Sequence, residues 1–81
     1  MINLPYSLVI EATAEPDYFS FYSPDLEGFT GIGHSIENCI YQARHGMKEF
    51  VEELNANKLV IPAVNKRANI VIQDAEELAG V

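Results

Sequence analysis

Between Ser35 and Pro62 no proline interrupts the chain, and Ile36, Ile40, Ala43, Met47, Phe50 and Leu54 recur there at steps of three and four. That spacing lays one apolar stripe along an α-helix. Cys39 and Val51 widen the stripe, while Glu37, Gln42, Arg44, His45, Lys48, Glu49, Glu52 and Glu53 fill the opposite face. Ser35 stands where an N-cap belongs, and Glu37 falls in the first turn against the positive end of the helix macrodipole. The pattern predicts a helix near 35–55, about five turns long. Gly46 inside it costs roughly 1 kcal/mol relative to alanine, so it marks a close backbone approach or a tolerated imperfection. A single helix has a single apolar face, and the rest of the chain must supply the layer it covers.

That layer reads as β-structure. From Tyr6 to Thr13, Tyr6, Leu8, Ile10 and Ala12 alternate with Ser7, Val9 and Glu11, the period of a strand. Ala14-Glu15-Pro16-Asp17 carries turn chemistry, and Tyr18 to Ser23 is strongly β-prone. Pro24, Asp25 and Gly28 then favour a second bend, with Gly28 able to adopt a positive φ, before a short strand over 29–33. Residues 55–68 hold Pro62 and three cations, Lys58, Lys66 and Arg67, and read as a connection with an extended arm. A last strand follows at 69–73, and 74–79 has the composition for one further helical turn. The expected fold class is α+β: a single domain over 1–81, β-β-β-α-β, with a four-stranded mixed sheet and one long helix on one face. Strands one to three form a meander and strand four returns parallel to strand one. Apolar residues stand at both parities of strands one and two, so the uncovered face is expected to form an association surface.

Charge and size narrow the function. Eighty-one residues make one small domain, whose core alone supplies only a few kcal/mol of net stability, so a partner or self-association is expected. Twelve acids against five cations give −7, which disfavours nucleic acid as a ligand of this chain alone and favours a basic protein. Cys39, the only cysteine, permits no internal disulfide and fits a reducing compartment. The N-terminal segment lacks a positive n-region, Pro5 breaks its apolar run, and no stretch is long enough to span a membrane. An untargeted cytoplasmic protein is expected.

The segment SPDLEGFTGIGHSIENCIYQA, Ser23 to Ala43, resembles the signature of the HicB family of antitoxins: an aromatic strand, Pro-Asp-Leu-Pro-Gly, a short strand, Gly-x-Thr/Ser, and a helix opening Leu-Glu-Glu-Ala. Pro24, Asp25, Leu26, Gly28, Gly33, Ser35, Glu37 and Ala43 match it, and the likeness covers residues 6–62. Glu27, Phe29, Asn38 and Cys39 depart from the pattern. The resemblance implies a partial ribonuclease-H-like fold without nuclease activity. It also implies a protein that binds and occludes a small basic RNA-cleaving HicA-like toxin, commonly as a dimer or larger homo-oligomer such as a tetramer. Many family members add a C-terminal DNA-binding segment; with eight residues after Gln73, a short form without it is expected.

Candidate interface residues are the aromatics Tyr18, Phe19, Phe21, Tyr22 and Phe29 with the loop acids Asp25 and Glu27. Base stacking by the same rings is disfavoured, because no basic residue lies within 1–43 to hold phosphate. The ribonuclease-H comparison raises Glu11, Glu49 and Asp74 as ligands of a divalent metal for phosphodiester hydrolysis; solvated surface charge is the simpler expectation. His34, Cys39 and His45 do not share a face, since positions 39 and 45 lie about 240° apart on a helix. No catalytic residue, metal or cofactor is therefore expected. The leading expectation is an antitoxin, and the alternative is a stand-alone homo-oligomeric domain with a structural or ligand-binding role and no toxin.

Overall fold

The computed structural model describes residues 4–75. Strands β1 (Leu8–Ala12), β2 (Phe19–Ser23) and β3 (Leu26–Gly33) are followed by helix α1 (Ile36–Ala56) and strand β4 (Ile70–Asp74). The sheet runs in the order β3-β2-β1-β4, with β1/β2 and β2/β3 antiparallel and β4 parallel to β1. This is the expected α+β arrangement.

The helix begins and ends where its local chemistry says it should. Ser35 is extended, and its hydroxyl accepts the Asn38 N–H at 2.9 Å, satisfying one of the orphan donors of the first turn. At the other end Leu59 N–H donates to Leu54 O at 2.9 Å and Lys58 N–H to Asn55 O at 3.1 Å. These two bonds define a Schellman close, which requires a left-handed residue. Lys58 supplies it, at φ 58°, where glycine is usual.

The covered sheet face carries Leu8, Ile10, Phe21 and Phe29, which enclose a core with Tyr6, Leu26, Cys39, Ala43 and Met47. Phe29 stacks edge-on to Phe50 at 5.7 Å, and its ring lies so close to Gly46 that an added Cβ would sit 3.1 Å from it. Gly46 thus marks a close approach, by a side chain of β3. The helix packs chiefly on β3 and more lightly on β2 and β1, so β4 lies at the margin of its cover.

Element boundaries differ from expectation at β3 and β4. β3 starts at Leu26, before Gly28, because Pro24 and Asp25 suffice for the bend: Ser23 pairs with Leu26 after a register shift between Tyr22 and Ser23. Gly28 does take a positive φ, 89°, but inside this strand. Asp74 belongs to β4, and the helical turn expected at 74–79 lies, beyond Ala75, outside the described residues.

Candidate protein-binding surface

Asp25, expected as a possible partner contact, is occupied within the fold. Its Oδ2 accepts the Ser7 N–H at 2.8 Å and the Asn65 Nδ2–H at 2.9 Å. Ser7 Oγ in turn accepts the Asn69 N–H at 3.1 Å, and Asn65 N–H donates to Pro5 O at 2.9 Å. One carboxylate therefore ties the β2–β3 bend to the start of β1 and to the connection before β4. The Asn65 amide and then the Ser7 N–H hold the Asp25 carboxyl below the usual carboxylate value, since both stabilise its charged form. A second tie lies nearby, where the buried Tyr6 hydroxyl donates to Pro62 O at 2.6 Å.

The other expected interface residues divide by strand parity. Phe21 and Phe29 are buried in the core and Phe19 packs against it, so these three do not form an open aromatic patch. Phe21 sits directly over Gly31 of β3, its register partner. Tyr18, Tyr22 and Glu27 are exposed, and Tyr22 lies on the face turned away from the helix. Two rows cross that face: Thr30, Tyr22, Val9 and Val71, then Ile32, Ser20, Glu11 and Gln73. Tyr22 and Val71 are each 39% exposed and Ile32 57%. The second row is largely polar, with Gln73 Nε2–H donating to Glu11 Oε2 at 3.2 Å. The far face is thus a narrow apolar stripe beside a hydrophilic one, smaller than the alternation of β1 and β2 predicts.

The larger apolar exposure lies elsewhere. In the connection, Leu59, Val60, Ile61 and Val64 are all open to solvent, Val60 at 89%. Ile61, Pro62 and Val64 form one wall of a groove of about 490 Å³, whose opposite wall is Met47 and Val51 of α1 with Arg44 and Lys48. The aliphatics of this connection, absent from the expected interface, stand beside its cations as the apolar run Leu-Val-Ile-Pro-Ala-Val. On the other flank of α1 a groove of about 470 Å³ runs along Tyr41, His45, Glu49 and Thr30, with the Tyr41 and His45 rings edge-on, centroids 4.6 Å apart.

The residues raised for metal chemistry are not brought together. Asp74 pairs with Ala12 on β1 and so shares the helix-side parity, whereas Glu11 is on the opposite face and Glu49 is exposed on α1. Among the described residues no group of three His, Cys, Asp or Glu side chains is placed to hold a metal ion. Cys39 is fully buried against Gly33, and burial pushes its thiol up, away from nucleophilic use. His34 and His45 are exposed. No helix of the described residues is long and apolar enough to cross a membrane.

Comparison with family models, curated proteins and solved structures gives no match. The HicB-like resemblance therefore rests on the residue pattern of this chain.

Proposed function

We propose that this chain is a HicB-like antitoxin that neutralises a small basic RNA-cleaving toxin of HicA type by direct binding in the cytoplasm, with no chemistry of its own. The observation that carries the proposal is the coincidence of pattern and fold. The Pro24-Asp25-Leu26-x-Gly28 stretch forms the β2–β3 bend, and the Gly33-x-Ser35 stretch delivers the capped helix. That is the order of elements the resemblance requires. Net charge supports the same partner, because −7 steers a basic protein toward the surface and repels polyanions. Tyr18, Tyr22 and Glu27 offer it two amphipathic rings and an acid on the exposed surface.

Co-expression tests the proposal. A neighbouring gene for a small basic HicA-like protein should arrest growth alone and lose that effect with this chain, and Tyr22→Ala with Glu27→Lys should weaken rescue while leaving the thermal transition in place. Undiminished arrest in the presence of soluble, folded chain would refute it. The stand-alone homo-oligomer is the second reading, favoured by the exposed aliphatics of the connection; it predicts self-association with no response to any toxin.

A further inference from the structure

We propose that two copies of this chain join edge to edge through β4, antiparallel about Ile72, into one continuous sheet. Three observations converge on that strand. The first is its hydrogen-bond parity. Leu8 N–H donates to Asn69 O at 2.9 Å and Ala75 N–H to Ala12 O at 2.8 Å, so 69, 71, 73 and 75 turn their backbone polar groups toward β1. Ile70, Ile72 and Asp74 turn theirs to the open edge. With Ile72 facing Ile72 of the second copy and Ile70 facing Asp74, every outward N–H and C=O of these residues meets a complementary group, as a two-fold axis demands.

The second observation is that, among the described residues, nothing guards the edge. Edge strands are ordinarily blunted by proline, lysine, a bulge or a covering element, and Ile-Val-Ile-Gln-Asp has an acid only at its end. Its aliphatics are open on both faces, Val71 on one and Ile72, 52% exposed, on the other. Pairing would set the second copy's aliphatics beside them on each face.

The third is charge. A chain of −7 resists meeting itself, yet all five of its cations lie between Arg44 and Arg67, on the groove and connection that lead into β4. Lys66 and Arg67 stand just before the strand, and Asp74 closes its far end. Antiparallel pairing brings the cationic end of one copy toward the acidic end of the other; a parallel arrangement would set like against like.

This association needs no toxin and does not rest on the antitoxin reading, so the test uses the purified chain alone. Sedimentation equilibrium should give twice the chain mass for the wild type. Ile72→Pro removes one outward N–H and leaves the ladder to β1 intact, and Ile72→Lys places a repelling charge on the edge. Both variants should be monomeric with an unchanged circular-dichroism spectrum, and Val71→Pro, whose N–H faces β1, should instead lose structure. A monomeric wild type overturns the proposal, as does a dimer that survives Ile72→Lys. Should Ile72→Pro not fold, Ile72→Lys still decides.

Discussion

Removing the Asp25 carboxylate probes the part of the signature segment that the fold itself uses. In Asp25→Ala the Ser7 N–H, on a residue only 7% exposed, loses its acceptor at 2.8 Å, and Asn65 loses the partner that positions the connection. Stranding a buried donor costs about 1–3 kcal/mol, and bonds to a charged acceptor lie at the upper end of that range. A loss of about 2–3 kcal/mol in a domain of this size lowers the melting temperature by roughly 10–20 °C. Asp25→Asn keeps an acceptor and loses only the charge, so it should fall between the two. The pH dependence has a definite sign. Because the folded carboxyl sits below its unfolded value of about 3.9, its contribution is fully present above that pH. It fades as pH falls through the lower folded value. Calorimetric melting of the three proteins from neutral to acid pH should therefore show a gap that is constant above about pH 4 and narrows below it. An Asp25→Ala protein that melts with the wild type at neutral pH would refute the clamp and return Asp25 to the partner surface.

Gly31→Ala should destabilise by about 1–3 kcal/mol, as overpacking does, because the new Cβ would run into the Phe21 ring; chemical denaturation measures it, and no change would mean that the ring does not lie over β3. Lys58→Gly should stabilise by up to about 1 kcal/mol, since glycine occupies the left-handed position without the Cβ penalty; a lower denaturation midpoint would contradict the Schellman close. Cys39 should resist alkylation in the native state and react on unfolding, given its burial and raised thiol; rapid labelling of folded protein would contradict that placement.

What the sequence reveals here follows the range of the interactions involved. Local signals suffice for the helix, where the Ile36 to Leu54 stripe and Ser35 place it to within a residue at each end, and for the order of strands. Alternation in β1 and β2 leaves their orientation open, because Leu8 and Val9, or Phe21 and Tyr22, are apolar at both parities; only cross-strand register assigns Phe21 to the core and Tyr22 to the far face. Asp25 looks like a turn residue with a spare charge because its partners lie 18 and 40 residues away. The groove between α1 and the connection is likewise a tertiary feature, made when Tyr6 and Pro62 meet across 56 residues of chain.

RNA cleavage by a purified HicA-like toxin, titrated with this chain, tests the account most directly. It predicts inhibition that saturates at a fixed molar ratio and weakens with added salt, as expected when an acidic surface meets a basic one. Cleavage that continues undiminished at excess of folded chain, with toxin of proven activity, would contradict it.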